Sequence, residues 1–221
     1  MKYKLSELCN IKVGFPFKSE KFNSIGKGVR LVRGMNVSKN GFRWGNQTRW
    51  WSDLSEDINE FYLKKDDVLI AMDGNVSTNF VQVREKDLPL LLVQRVARLR
   101  TKNLPQRFLW YIVKSQQFSE YLDAVKTGTT ISHISAKQIG DFEVELPELD
   151  SIKKITSILT SLDDKIYLNK EINDNLSNYN SNDSSLISPF INLGNNESRI
   201  SHRCWFSSSL RPISSNNGVT S

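Results

Sequence analysis

Cysteine is scarce in this chain of 221 residues, and its two copies, Cys9 and Cys204, lie far apart with no pairing pattern. That argues against a disulfide scaffold or a cysteine-built zinc site and implies a reduced, cytoplasmic setting. Long apolar runs are also missing. No stretch approaches the roughly 20 apolar residues of a membrane helix, and the opening MKYKLSELCNIKVG lacks a signal-peptide h-region. No membrane association is expected. Histidine is limited to His133 and His202, neither with a Ser, Asp or Cys partner at a diagnostic spacing, so nucleophilic chemistry of the His-based kind is not indicated. The glycines of GMNVSKNG and GFRWGNQ follow neither a P-loop nor a dinucleotide fingerprint and fit turns better. Asp66, Asp67 and Asp73 in KKDDVLIAMDGNV are the residues on which a Mg²⁺-dependent nuclease would depend. Aspartates beside strands are equally ordinary turn residues. Catalytic residues, metal and cofactor are therefore all expected to be none.

What the chain does contain is unevenly placed. Residues 1–52 hold eleven Lys or Arg against only Glu7 and Glu20, within a net charge of +6, whereas 53–83 are net acidic. One-signed charge gathered in one region suggests a polyanion, nucleic acid before membrane, although a merely soluble basic surface has the same composition. A hydrophobic fraction of 38% suits one good-sized core plus an appendage. GVRLVRGMNV, DVLIAMDGNV, NFVQVRE and PLLLVQRVARLR read as strands bounded by turn residues. Between Pro105 and Val125, apolar residues at three- and four-residue steps predict one amphipathic helix of about 20 residues, closed by Gly128. FEVEL at 142–146 alternates as a last strand and Pro147 ends it.

Past Pro147 the period changes. Ile152, Ile155, Leu159, Leu162, Ile166, Asn169 and Leu176 keep a spacing close to 3.5 among balanced charges, as in a coiled-coil or pairing helix about 38 Å long over 25 residues in which Asn169 would fix the register. A helix folded back onto its own domain would show a similar stripe. From Ser177 the period is lost and 21 of 45 residues are Ser or Asn, a composition expected to be disordered. The expected architecture is mixed α/β: a strand-rich domain with packed helices over 1–150, a coiled-coil-type helix over 151–176 and a tail over 177–221.

The stretch NGFRWGNQTRWW interleaves Arg43, Trp44, Arg49, Trp50 and Trp51, where guanidinium groups can hold phosphates or base edges and indoles can wedge or stack. Any one of these tryptophans serves equally well as a core anchor. KTGTTISH offers Lys126, Thr129, Thr130 and His133, with Lys137 just beyond, as phosphate contacts, and a glycine-capped helix end would look the same. Lys126 and Lys137 suit phosphates; Arg43 and Arg49 suit base edges.

GFPFKSEKF (14–22), VRLVRGMNV (29–37), LKKDDVLIAMDG (63–74) and, most specifically, GTTISHISAKQIGDFEVELPELDSIKKITSILTSLDDKI (128–166) together resemble one half of the specificity subunit of type I restriction-modification systems. The resemblance runs from residue 1 to about 176 and adds Lys18 and Arg33 to the DNA-contact candidates. It implies a non-catalytic subunit whose target-recognition domain reads half of a bipartite sequence in double-stranded DNA. It further implies docking to methyltransferase subunits, which use S-adenosylmethionine on adenine N6, and through them to a restriction subunit that translocates and cleaves DNA. Complete members carry two such domains, related by a pseudo-two-fold axis through antiparallel helices, and this chain has one. Pairing of two copies through Ile155, Leu159, Leu162 and Ile166 would supply the second. The chain departs from the pattern in having Asp150, Ser151 and Ile152 where an acid and a glutamine are usual, and in its Ser/Asn-rich end, which implies truncation or a shifted reading frame.

Overall fold

The computed structural model describes residues 2–187, with side chains as far as 176. In chain order the elements are β1 (Lys2–Lys4), α1 (Leu5–Leu8), β2 (Cys9–Val13), β3 (Val29–Val32), β4 (Val37–Ser38), β5 (Gly41–Phe42) and β6 (Trp50–Trp51). There follow β7 (Val68–Ala71), β8 (Phe80–Gln82), β9 (Leu90–Leu92), β10 (Val96–Thr101), α2 (Gln106–Val113), α3 (Gln116–Val125), α4 (Ala136–Gly140), β11 (Glu143–Glu145) and α5 (Leu149–Ile187). The chain forms two units, residues 1–167 and 168 onward.

β7 reads VLIA and is buried at every position, so both of its faces need cover. Its side chains alternate accordingly: Val68 and Ile70 enter one core, Leu69 and Ala71 another. β7 lies inside a four-stranded antiparallel sheet of order β2-β10-β7-β8. One face of this sheet is covered by α2, α3 and α4 through Leu109, Ile112, Phe118, Leu122 and Ile139. Phe118 is wholly buried, with its ring 5.0 Å from Phe142 and 5.7 Å from Phe80. Burial of that one side chain stabilises the fold by about 2–3 kcal/mol. The other face meets a smaller sheet of order β6-β3-β9, in which β3 runs parallel to β9. β9 repeats the alternation, Leu90 and Leu92 facing the central sheet while Leu91 joins a third core with Phe17, Leu31 and Trp51.

The expected single helix over 105–125 is two helices. α2 ends at Val113 with Lys114 as its C-cap, and Ser115, with extended backbone (φ −67°, ψ 149°), caps α3 by accepting a hydrogen bond from Phe118 N at 3.2 Å. PLLLVQRVARLR is likewise two strands, β9 and β10, separated by a turn at Gln94 and Arg95. The FEVEL segment forms β11, which pairs with β1 at the far end of the chain, Lys2 opposite Glu145.

α5 begins at Leu149, two residues after Pro147, and its helical backbone continues to Ile187, eleven residues beyond the point where the apolar period ends. The Ser/Asn-rich segment from 188 onward lies outside the described residues. Within the first unit, Ile152 and Thr156 are buried and Leu159, Thr160, Asp163 and Tyr167 half-buried. Arg107 of α2 donates to Asp164 at 2.8 Å, Arg84 approaches the same carboxylate at 3.4 Å, and the Arg84 guanidinium lies 4.7 Å from the Tyr167 ring. Ile155, Ile158, Leu162 and Ile166 remain exposed. The helix therefore has one face on its own domain and a second apolar face in solvent.

Candidate nucleic-acid interface

Arg33, which follows β3, Asp73, which follows β7, and the Gln94–Arg95 turn all reach the rim of one open groove of about 670 Å³. One wall is organised by Asn36, whose side chain is fully buried. Its Oδ1 accepts from Arg33 N at 3.1 Å and its Nδ2 donates to the Arg43 carbonyl at 3.0 Å. Arg43 N closes the unit by donating to the Asn36 carbonyl at 2.8 Å. Two arginines ten residues apart are thus fixed side by side through one amide. Arg33 also donates to the Gln47 carbonyl, and burial, with Arg49 nearby adding repulsion, pushes its pKa below the usual guanidinium value.

A second part of the lining is built around Asp73. Arg95 Nε donates to Asp73 Oδ2 at 2.7 Å, Arg95 Nη2 donates to Oδ1, and His133 Nδ1 lies 2.7 Å from the same Oδ1. Arg95 Nη2 is 3.0 Å from His133 Nδ1 as well, so carboxylate, guanidinium and imidazole form one cluster. Burial pushes the Asp73 carboxyl upward, and the hydrogen bonds from Arg95 and His133 outweigh it, holding the group below the usual carboxylate range. His133 also anchors the loop after α3: Thr127 N donates to the His133 carbonyl at 2.9 Å, and Gly74 N donates to Ser132 at 2.9 Å. At Gly128, φ is +92° and a Cβ would stand 2.3 Å from the Ile131 carbonyl, so the tight turn requires glycine. That turn leaves Thr129 and Thr130 exposed and brings Ile131 to the groove.

The residues singled out in the sequence fall into three sets. Arg33 and Arg43 line the groove; exposed Lys18 precedes the lining residue Ser19, and the 127–133 loop that carries Thr129, Thr130 and His133 reaches the groove through Ile131. Arg49, Trp44 and Trp50 belong to the scaffold beside it. Arg49 Nη1 donates to the carbonyls of Asn46 and Thr48 at 2.9 and 2.8 Å, Trp44 stacks on Phe42 at 5.1 Å, and Trp50 is half-buried in β6. Trp51 is a core anchor, 4.8 Å from Phe17. Lys126 is exposed and paired with Asp123 at 2.6 Å, while Lys137 lies in a separate depression with Lys102 and Asp141. Sequence reading missed Arg95 and assigned Asp73 only to a metal. The available signal was the polar pair Gln94–Arg95 interrupting two apolar runs.

The three aspartates considered for metal binding each hold an arginine instead: Asp66 with Arg107 at 3.1 Å, Asp67 with Arg100 at 2.5 Å, and Asp73 with Arg95. Among the described residues, no group of three His, Cys, Asp or Glu side chains is placed to hold a metal ion, and no helix is long and apolar enough to cross a membrane.

The family model described as the type I restriction modification DNA specificity domain matches residues 1–178. The chain belongs to that family. Among characterised relatives, it is 29% identical over 141 residues to the type I restriction enzyme EcoAI specificity subunit of Escherichia coli, covering 62% of this chain and 23% of the relative. It is 24% identical over 173 residues to the MjaVIII specificity subunit of Methanocaldococcus jannaschii, covering 76% and 40%. The specificity-domain chain thus spans about a quarter to two-fifths of the length of these relatives. Its fold is similar to that of the S subunit of a type I restriction-modification system from M. genitalium, with TM-score 0.60 at 19% identity over 86% of this chain and 46% of that one.

Proposed function

We propose that this specificity-domain chain binds double-stranded DNA through the groove at Arg33, Arg43 and the Asp73–Arg95–His133 cluster, reading one half of a bipartite target without catalysing any reaction. The observation that carries the reading is the convergence of Arg33 and Arg43 with the sequence-distant Arg95 on one open groove, with only Asp73 among its lining residues to oppose their charge. Arg43 is the base-edge contact, and the exposed 126–130 loop and Lys18 hold phosphates. Arg49, with a guanidinium nitrogen committed to two carbonyls, supports the loop that presents Arg43. The outward face of α5, with Ile155, Leu162, Ile166 and the half-buried Leu159, receives methyltransferase subunits or a second copy of the chain, and a restriction subunit joins through the methyltransferase.

Fluorescence-anisotropy titration of a mixed duplex pool and of a sequence enriched from it, at two salt concentrations, tests this reading. Lys126→Ala weakens binding to all sequences alike and flattens the salt dependence by about one unit, whereas Arg43→Ala costs about 1–3 kcal/mol on the enriched sequence only. A chain that enriches no sequence, alone or with methyltransferase, overturns the proposal.

A further inference from the structure

We infer that Arg95 is a specificity-determining residue of the groove, with Asp73 as its positioning residue, and that it reads a guanine through the guanidinium fork that Asp73 leaves free. The inference rests on the DNA-binding reading above and goes beyond it in assigning a residue, a partner base and a geometry.

Arg95 is an exposed residue at the tip of the turn joining two fully buried strand ends, yet its backbone and side chain are both fixed. Its carbonyl accepts from Met72 N at 2.9 Å, and its φ of 70° places it in the left-handed region that a non-glycine residue adopts only when its surroundings impose it. Asp73 takes the side of the guanidinium formed by Nε and Nη2. A guanidinium has five N–H groups, and a carboxylate on the Nε–Nη2 side leaves the end-on pair, one N–H of Nη1 and the second of Nη2, parallel and directed away from it, with His133 Nδ1, 3.0 Å from Nη2, as the neighbour that a base edge would displace. That pair matches O6 and N7 of guanine in the major groove.

A phosphate is the competing ligand, and two observations favour the base. Burial raises the Asp73 carboxyl, but Arg95 and His133 more than offset this and keep it ionised, so an anion approaching Arg95 would meet a carboxylate within hydrogen-bond reach of the same guanidinium. A neutral base edge carries no such penalty. Met35 and Ile131, both large, apolar and about half exposed, also reach the groove that Arg95 lines, as suits the flat face or methyl group of a base rather than a phosphate.

The test uses the full chain. An enriched duplex is obtained from a random pool, each guanine in it is replaced in turn by 7-deazaguanine, which lacks N7, and binding is titrated with wild type, Arg95→Gln and Asp73→Asn after each variant's thermal melt is confirmed. For wild type, one guanine position is sensitive to the replacement. Arg95→Gln weakens the enriched duplex about 5- to 150-fold and a scrambled duplex by less than about two-fold, and it abolishes sensitivity at that one position. Asp73→Asn shifts the same position in the same direction by less. Equal losses on enriched and scrambled duplexes make Arg95 a phosphate contact and overturn the inference, as does undiminished sensitivity to 7-deazaguanine in Arg95→Gln. A wild-type chain that enriches no sequence overturns the DNA-binding reading and the inference with it.

Discussion

Asp66 and Asp67 are neighbours in sequence that serve different arginines. Asp66, at φ 65°, accepts from Arg107 of α2, while Asp67 accepts from Arg100 of β10 at 2.5 and 2.7 Å and from Lys64 N at 2.7 Å. Asp67 is 2% exposed, so its charge is compatible with the interior only because three donors converge on it. Asp67→Ala leaves Arg100 facing an empty site and removes the acceptor for Lys64 N. The expected loss is about 2–3 kcal/mol, below the value for a fully buried pair because Arg100 keeps part of its side chain in water. Urea unfolding of wild type and variant measures it through a lower midpoint at unchanged slope. These residues also show how little of a role is carried by residue type alone. A doubled aspartate at a strand edge reads equally as a metal ligand, a turn and an ion-pair site, and only the approach of Arg100, 33 residues away in sequence, decides among them.

At the scale of elements, α5 is held to its domain by charge as much as by apolar contact. Asp164 lies under Arg107 and Arg84, and the Arg107 hydrogen bond, opposed by burial and reinforced by Arg84, keeps its carboxyl below the usual carboxylate range. A carboxyl whose folded pKa lies below its unfolded one contributes its stabilisation above the unfolded pKa, near 3.9, and loses it as pH falls through the folded value. The latch is therefore intact at neutral pH and opens only in acid. Asp164→Asn at neutral pH reproduces the opening: amide hydrogen exchange over 149–167 rises several-fold while the global melting temperature moves little, because Asp164 is about half exposed. Protection unchanged in the variant would show that Ile152 and Thr156 hold the helix unaided. Much at this scale was legible in the sequence. The β7 run, the strand before Pro147 and the helix after it follow from local period and proline chemistry. The break at Lys114–Ser115 is less visible, since the apolar spacing runs straight across it and only the capping hydroxyl of Ser115 marks it. The β1–β11 pairing and the groove itself join residues far apart in sequence, and no local pattern encodes such a contact.

For the whole molecule, the net charge of +6 acts oppositely on the two kinds of association proposed for it. DNA binding releases counterions and weakens as salt rises, whereas two copies of a basic chain repel each other and approach more readily when screened. Self-association through α5 is therefore expected to hold or strengthen at the salt concentrations where DNA affinity falls. The outward face that would serve it exposes Ile155 by 41%, Leu162 by 52% and Ile166 by 66%, with Leu159 partly covered by the domain. Covering two such half-exposed side chains contributes about 1.5–3 kcal/mol, roughly a 10- to 150-fold change in dimer affinity. Leu162→Asp places a charge at the middle of this face without touching the side of the helix that bears Ile152 and Thr156. Its expected effect is a fall in sedimentation coefficient at high protein concentration and weaker methyltransferase binding, with the thermal melt and the DNA affinity of the free chain unchanged. Leu159→Asp is expected to lower the melting temperature as well, because that residue contributes to both faces. Unchanged sedimentation and methyltransferase binding in Leu162→Asp would mean that the exposed stripe on α5 receives neither partner, leaving the groove to act without a docking helix.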